Sequence, residues 1–395
     1  MNETSELDSG VTIAQQLRSR LLDILKGEYV GKDEVIDLLG ICLVAGENLF
    51  LLGPPGTAKS ALVRSLASRV DGRVFDYLLT RFTEPSELFG PFDIRRLREG
   101  ELLTNTDGML PEADIIFLDE LLNANSAILN SLLMALNEKV FRRGRETRRL
   151  GFVLTVGASN RLPEDEALAA LFDRFLLRVR SDNVPSEMLT SVLEAGWKLQ
   201  QAEARQDTVA ATVSIEDLRR LQRCISQDDV ATIRTQYVGL INRLRHAGID
   251  ISDRRAVRLQ RLTAASALMC GRTVIHRSDL WVLRYIWDTM EQVEVLAKIV
   301  DDAIRSDGNV TEGHQVTVHP RSAGADAPHP EHLSKDLDQI ESQLAAAESD
   351  SNQTSWLRDR LSLLLARVEW VKQDEPRGFL KERIQKMLQR VKHEQ

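Results

Sequence analysis

Cysteine, aromatic residues and surplus basic charge are all scarce in this 395-residue chain, and each scarcity excludes a class of protein. The three cysteines are Cys42, Cys224 and Cys270. Their odd number and wide spacing match neither a disulfide framework nor a zinc site, and they fit a reducing compartment. Aromatic residues make up 5% of the sequence, and the net charge is -8. An acidic chain argues against a protein whose main task is to wrap nucleic acid, because phosphate binding draws on a basic excess.

Long uninterrupted hydrophobic segments are also missing. The most apolar stretch, 35–52, contains Asp37 and Glu47, so it falls short of the 18 or so apolar residues that a membrane helix requires. The first ten residues include three acidic ones, whereas a secretory signal begins with basic residues and an apolar run. The sequence therefore predicts a soluble, cytoplasmic protein with no membrane insertion.

The sequence does contain enough apolar residues, 43%, for large cores, and its length predicts two to three domains. Between about residues 30 and 179, short apolar runs rich in β-formers alternate with helical patterns. This alternation is typical of a parallel sheet covered by helices. We predict five parallel strands, at 48–52, 74–79, 114–118, 152–157 and 175–179.

Beyond Pro185 the pattern becomes helical, with a helix start at Ser252 and a stop at Gly271. A segment rich in Gly and Pro follows, and it holds four of the seven histidines; a mobile polar loop is favoured over a weak metal site there. Three amphipathic segments then predict a small helical bundle. The predicted domains are an α/β core at 1–185, an all-α lid domain at 186–306, a flexible linker at 307–332 and a C-terminal helical domain at 333–395.

Residues 53–60, GPPGTAKS, have the features of a phosphate-binding loop. They directly follow a buried strand and precede a predicted helix, 61–70. Backbone N–H groups and a helix N-terminus in this placement can cradle the phosphates of a nucleotide. Lys59 would reach the terminal phosphates, and the Ser60 hydroxyl would bind Mg²⁺. Ala58 stands where a third glycine is usual. The predicted nucleotide contacts are Gly53, Pro54, Pro55, Gly56, Thr57, Ala58, Lys59, Ser60 and Ala61.

Two acidic residues end the next buried strand. Asp119 is predicted to hold the magnesium shell, and Glu120 is predicted to orient and deprotonate the attacking water, as phosphoryl transfer requires. Alone, such a pair is more often an ordinary strand end. Together with the phosphate loop, it indicates nucleotide hydrolysis.

Two polar residues lie near the last two strands. The segment Gly157-Ala158-Ser159-Asn160 comes at the end of the strand predicted at 152–157, a place from which the Asn160 amide can hold the nucleophilic water. Arg174 lies at a helix end just before the final strand. In isolation, an Asn there is more often a turn cap and an Arg more often a surface ion-pair partner.

The segments GPPGTAKS, IIFLDE, GASN and LFDRF, in this order and spacing, resemble AAA+ ATPases of the MoxR family. The resemblance covers residues 30 to about 300. Two further segments, 125–130 and 252–255, resemble the RavA branch of that family. The family implies an Mg²⁺-dependent ATPase that binds ATP and ADP and assembles into a homo-oligomeric, usually hexameric, ring.

The resemblance also assigns roles to single residues. Asn160 matches the sensor 1 position, and Arg174 matches the arginine finger, which acts on the neighbouring subunit's site. Arg254 matches the sensor 2 arginine on the helical lid, with the adjacent Arg255 as the alternative. Val30 and Gly31 match a segment that lies near the adenine.

The family further implies a protein client that is remodelled or activated, usually one with a von Willebrand factor A domain. Two other functions stay open: a nucleic-acid motor, which the acidic charge disfavours, and a slow nucleotide-gated assembly switch. Residues 141–149 predict a hairpin with five arginines. Such a hairpin can grip an acidic protein segment or a nucleic-acid backbone, or it can simply guard a sheet edge with charge.

Overall fold

The structure is a computed structural model, and the chain divides into two compact units, Met1–His319 and Pro320–Gln395. Each unit is described by itself below. The described residues are 3–98, 102–143, 146–163, 165–205, 211–225, 233–305, 319–323, 334, 337–338, 340–341, 361 and 374–393.

A five-stranded parallel sheet forms the centre of the first unit, in the order β3-β4-β7-β1-β8. It confirms the predicted α/β core with five parallel strands, each within about two residues of its predicted bounds. A short parallel pair, β2 and β9, and an antiparallel hairpin, β5 and β6, lie outside this sheet. The strands are β1 Leu49–Leu52, β2 Val70–Asp71, β3 Val74–Leu78, β4 Ile115–Asp119, β5 Val140–Arg143, β6 Glu146–Arg149, β7 Leu154–Ser159, β8 Leu177–Arg180 and β9 Val213–Ser214.

Burial along the strands follows their place in the sheet. All residues of β1 and β7 are buried, as are the first four of β4, because helices cover both faces of a parallel sheet. At the edge, β3 leaves Val74 42% and Leu78 58% exposed. The interior strands β1, β4 and β7 therefore form the buried centre of the sheet.

Helices cover the sheet and form the rest of the first unit. Besides the α-helices, a π-helical turn occupies Arg18–Leu22 and a 3₁₀ segment occupies Arg277–Tyr285. The α-helices are α1 Glu3–Leu17, α2 Asp23–Glu28, α3 Asp33–Ala45, α4 Lys59–Ser68, α5 Pro85–Phe89, α6 Ile94–Arg98, α7 Ser126–Glu138, α8 Glu166–Phe172, α9 Leu189–Ala204, α10 Ile215–Cys224, α11 Arg234–His246, α12 Asp253–Met269 and α13 Gln292–Arg305.

Helix α12 begins where the sequence predicts a start. Its N-cap residue is Ser252, whose hydroxyl accepts a hydrogen bond from the Arg255 N–H at 3.2 Å. Such a side-chain cap satisfies a backbone donor that the helix itself leaves unpaired. The helical lid and the α/β core therefore both match the predicted fold class.

The N-terminal helices α1 and α2 carry no sequence prediction, yet they contribute to the core. Leu17, Leu21, Leu22 and Leu25 are almost fully buried. Leu22 packs so closely on α3 that a Cβ at Gly40 would lie 2.4 Å from its Cδ1. No helix within the described ranges is both long enough and apolar enough to cross a membrane.

In the second unit, helix α14 spans Asp374–His393, close to the predicted segment 375–392. Arg383 forms ion pairs with Asp338 and Glu341, both at 2.6 Å. Most of the predicted linker at 307–332 and of the amphipathic segments at 332–348 and 354–372 lies outside the described residues.

Candidate nucleotide site

The phosphate loop connects β1 to α4, and backbone geometry fixes its shape. Gly56 has φ +82° and Ala58 has φ +63°, both in the left-handed region. A Cβ at Gly53 would lie 2.3 Å from the Ser181 carbonyl oxygen, so only glycine fits there. Ala58 thus occupies, at the position where glycine is usual, a conformation that costs an L-residue about 1–2 kcal/mol.

Two side chains at the start of α4 carry the polar chemistry of this loop. The ammonium of Lys59 is nearly buried and donates to the carbonyl oxygens of Gly53 at 2.7 Å and Pro54 at 2.8 Å. The Ser60 hydroxyl donates to Asp119 Oδ2 at 2.6 Å. This contact joins the loop to the end of β4, as the predicted magnesium role of both residues requires.

The Ser60 hydroxyl and the Asp119 carboxylate together have the chemistry of a Mg²⁺ site. A hydroxyl and a carboxylate are hard oxygen donors, and Mg²⁺ is usually held by one or two carboxylates plus phosphate oxygens and waters. No cluster of three or more His, Cys, Asp or Glu side chains suited to a metal ion occurs in the described part of the chain. The donors present therefore fit a metal held mainly by nucleotide phosphates.

Glu120 is held in a strained backbone conformation directly after β4. Its φ is +50°, and its N–H donates to Asp119 Oδ1 at 3.0 Å. Partial burial raises the pKa of the Glu120 carboxyl, and the neighbouring Asp119 raises it further, against the opposing charges of Lys59 and Arg161. A carboxylate with a raised pKa is a better proton acceptor for water than an ordinary one.

Asn160 follows β7, which lies between β4 and β1 in the sheet. Leu52 is paired in register with Ser159, and the Gly53 N–H donates to the Ser159 carbonyl at 3.1 Å. The Asn160 residue is exposed and comes at the same carboxyl edge as the phosphate loop and Glu120. Ligands of open α/β sheets bind at this edge.

Arg161 is a site residue that sequence reasoning missed. Its guanidinium donates to Asn123 Oδ1 at 3.3 Å, and its positive charge lowers the pKa of Glu120. The sequence signal was its place directly after Asn160, but a lone arginine after a strand carries no information about its partners.

The predicted adenine segment, Val30 and Gly31, lies against the chain just beyond β8. Gly31 has φ +75°, and a Cβ there would lie 2.7 Å from Val184 Cγ1 and 3.5 Å from Met188 Cε. The Tyr29 hydroxyl donates to the Ala61 carbonyl at 3.0 Å. The segment is therefore fixed beside the start of α4.

Lys32 is a second residue that sequence reasoning missed. Its ammonium donates to Ser181 Oγ at 3.2 Å and to the Asp182 carbonyl at 2.5 Å, while Ser181 Oγ donates to the Thr57 carbonyl at 3.2 Å. Burial lowers the pKa of Lys32, and the nearby charge of Lys59 lowers it further, although Asp182 opposes this. Lys32 thus holds the phosphate loop in place indirectly, through the bond from Ser181 to the Thr57 carbonyl.

Arg174 lies at the opposite, amino end of the sheet. Its carbonyl accepts a hydrogen bond from Asn48 Nδ2 at 3.1 Å, and Asn48 directly precedes β1, whereas the phosphate loop begins at Gly53. At roughly 3.3 Å per residue, these two ends of β1 are about 16 Å apart. The Arg174 side chain is therefore remote from the phosphate loop of its own chain.

Arg254 lies near Arg174, on the side of the sheet where β1 begins. Burial lowers the pKa of Arg174, Asp173 raises it, and the positive charges of Arg254 and Arg258 lower it. Arg258 itself forms an ion pair with Glu47, just before β1. Arg254 is exposed, whereas Arg255 is buried among hydrogen-bond acceptors.

The arginine-rich hairpin is present, but most of its described arginines have partners within the chain. Arg143 donates to the Gly90 carbonyl at 2.6 Å and lies over the Phe92 ring. Arg148 donates to Thr106 Oγ1 and pairs with Glu112, and Arg142 pairs with Glu138 at 3.1 Å. The predicted turn at residue 144 lies outside the described residues.

The phosphate loop, the acidic strand end and the helical lid define a P-loop nucleotide-binding protein of the AAA+ class. Two family models match the chain: "MoxR domain in the MoxR-vWA-beta-propeller ternary systems" over residues 15–223, and "AAA lid domain" over residues 227–300. The first covers more than half of the chain. The chain therefore belongs to the MoxR family of AAA+ ATPases.

The chain is also similar to individual proteins. An uncharacterized protein of Methanocaldococcus jannaschii is 35% identical over 286 residues, which is 72% of this chain and 73% of the relative. Chaperone MoxR1 of Mycobacterium tuberculosis is 25% identical over 219 residues, 54% of this chain and 55% of MoxR1.

A crystal structure of a protein from Cytophaga hutchinsonii has the same fold. It superposes with a TM-score of 0.60 at 18% identity, and the match covers 77% of this chain and 98% of that one. At this identity the likeness supports the fold alone.

Proposed function

We propose that this protein is a Mg²⁺-dependent ATPase that assembles into a ring, hexameric in the predicted form, and remodels or activates a protein partner. The observation that carries the proposal is the meeting of Lys59, the Ser60–Asp119 pair and Glu120 at one edge of the sheet. This set supplies a phosphate ligand, a metal-binding pair and a base. Phosphoryl transfer to water needs all three.

In this proposal the residues act as follows. Lys59 releases its loop carbonyls and binds the terminal phosphates, while the N–H groups of residues 53–60 cradle the phosphate chain. Ser60 and Asp119 would hold Mg²⁺, and the bound ion would supply positive charge against the phosphates. Glu120 accepts a proton from the attacking water, and the Asn160 amide holds that water in line.

A ring is proposed because Arg174, with Arg254 near it, is distant from the phosphate loop of its own chain. Arg174 lies at the far end of β1, about 16 Å from Gly53, and Arg254 lies beside it. If these arginines stabilise the charge of phosphoryl transfer, the nucleotide they reach belongs to a neighbouring subunit. We therefore assign the sensor 2 role to Arg254 and a structural role to Arg255.

The proposed partner is a protein with a von Willebrand factor A domain, since the matching family model describes the MoxR domain of such systems. Phe82 is 90% exposed, on a loop fixed by hydrogen bonds from Asn125 Nδ2 to the carbonyls of Arg81 and Thr83. A single exposed apolar side chain is ordinary on a protein surface, so the proposed partner rests on the family model.

A nucleic-acid motor is less well supported, because three hairpin arginines are engaged within the chain. We further propose that the protein works in the cytoplasm and has the domain bounds given by the sequence. The RavA likeness stays a prediction.

The decisive experiment measures steady-state ATP turnover by the purified protein with Mg²⁺ and with excess chelator. We expect turnover when Mg²⁺ is present and no turnover with excess chelator. The Glu120→Gln variant should bind ATP without turning it over, and the proteins that copurify with it identify the partner. Wild-type-level turnover by this variant would show that Glu120 is not the base.

A further inference from the structure

A chain of ion pairs between two buried arginines and two partly exposed aspartates lies at the amino end of the sheet, next to Arg174 and Arg254. We call Asp173, Arg178, Arg255 and Asp288 the arginine–aspartate cluster. Arg178 is completely buried and Arg255 is 5% exposed. The two arginines share Asp288, which lies 2.8 Å from Arg178 and 3.1 Å from Arg255.

Arg178 fastens the turn at 286–288 to the last core strand. Its guanidinium donates to the carbonyls of Ile286 at 3.0 Å and Trp287 at 2.9 Å, and it lies 4.4 Å above the Phe172 ring. Burial is the largest influence on the pKa of Arg178, which falls to about 9, with the charge of Arg255 acting in the same direction. Within the described residues the Arg178 Nε has no hydrogen-bond partner, so the two Nη groups alone hold this buried guanidinium.

Arg255 fastens the first turn of α12 to the same place. It donates to the carbonyls of Asp250 at 2.9 Å and Ile286 at 2.5 Å. It also lies 3.8 Å from the Asp173 carboxylate. One residue therefore joins the start of the lid helix, the 286–288 turn and the end of α8.

Two of the four cluster members are sequence neighbours of the two candidate arginines. Asp173 precedes Arg174 and pairs with it at 3.4 Å, while Arg255 follows Arg254. A side chain that must reach another subunit needs a base that does not move, because misplacement by about 1 Å can reduce catalysis about a hundredfold. The arginine–aspartate cluster supplies such a base for both.

We propose that the arginine–aspartate cluster is a positioning device that holds Arg174 and Arg254 as one unit toward the neighbouring subunit's nucleotide. This inference rests on the proposed function. Its members touch no nucleotide themselves. Their loss should therefore lower turnover while nucleotide affinity and folding are retained.

The test compares Asp288→Asn with a matched control. Asp288 is 30% exposed and the change is nearly isosteric, so the variant should fold. Asp301→Asn is the control, since Asp301 pairs with the nearly buried Arg284 away from both candidate arginines. We expect kcat to fall about tenfold or more in Asp288→Asn, with unchanged nucleotide affinity, and no change in Asp301→Asn.

Combining the changes distinguishes positioning from general stability. If Asp288 acts through Arg174 and Arg254, adding Asp288→Asn to a protein that already carries Arg174→Ala and Arg254→Ala should lower kcat no further, because coupled residues are not additive. Equal extra losses in both backgrounds would overturn the proposal. The proposal would also be overturned if the Asp288→Asn variant were fully active while the separate Arg174→Ala variant lost turnover.

Two further results complete the test. Should Asp288→Asn fail to fold, Asp173→Asn replaces it, since Asp173 is 44% exposed; normal turnover in that variant would overturn the proposal. If the wild-type protein hydrolyses no ATP, or Arg174→Ala is fully active, the proposed function fails instead. The two failures are therefore distinguishable.

Discussion

The two ends of the central sheet are built by different means. At the carboxyl end, Ala58 and Glu120 hold left-handed backbone conformations, and main-chain groups shape the site. At the amino end, side-chain ion pairs join Asp173, Arg255, Asp288 and Arg178, and Asp173 also pairs with Arg174. A loop that surrounds phosphates needs amide groups in a fixed curve, whereas a side chain that reaches another subunit needs a rigid base.

The largest expected effect is at the carboxyl end, in Lys59→Ala. Losing the ammonium removes charge-assisted hydrogen bonds to the phosphates, worth about 3 kcal/mol or more in total, so ATP affinity should fall more than about a hundredfold. A titration with a fluorescent nucleotide measures this. Arg174→Ala is the control, because its site is at the other end of the sheet and its own affinity for ATP should persist. Equal loss in both variants would contradict the division between the two ends.

The second effect is at the amino end, in Arg174→Ala. Turnover should fall by about 10³-fold, the size expected of an arginine finger, with nucleotide binding retained. Mixing this variant with Lys59→Ala subunits should restore part of the activity, because some sites then combine an intact loop with an intact arginine. Absence of rescue at every mixing ratio would place the action of Arg174 within its own subunit.

The carboxyl end could be predicted from the sequence because its residues are contiguous or follow strands. Residues 53–60 form one segment, and Asp119 and Asn160 come at strand ends, which parallel pairing brings together. Three of the five strands followed from runs that are apolar on both faces, and the other two from short β-rich runs between helical patterns.

The amino end could not be predicted in the same way. Asp173, Arg255 and Asp288 are far apart in sequence, and no local pattern shows that they share one buried site. The same limit applies to Lys32, which meets Ser181 across the fold. Helix α1 was missed because the acidic residues at its start obscure its apolar face.

A third, smaller effect concerns the acid limb of the turnover profile. Glu120 must be ionised to accept a proton, and burial and Asp119 raise its pKa, so kcat should be lost as the pH falls through a value above the ordinary range for Glu. The charge of Arg161 lowers this pKa. Arg161→Met should therefore move the acid limb to higher pH, and Arg161→Lys should leave it nearly in place. An unmoved limb in Arg161→Met would show that Arg161 does not tune Glu120.

The smallest effect compares two residues of the phosphate loop, Ala58 and Gly56. Ala58→Gly should relieve about 1–2 kcal/mol of left-handed strain, offset by about 0.5–1 kcal/mol of added chain entropy in the unfolded state, for a net gain of about 0.5–1 kcal/mol. Gly56→Ala is the reverse control, since φ is +82° and nothing lies within 4 Å of the added Cβ. It should lose a similar amount, measured for both variants by denaturant unfolding. A destabilised Ala58→Gly variant would mean that packing of the Ala58 methyl group stabilises the loop by more than the left-handed strain costs. Backbone strain would then not be what distinguishes the carboxyl end of the sheet from the amino end.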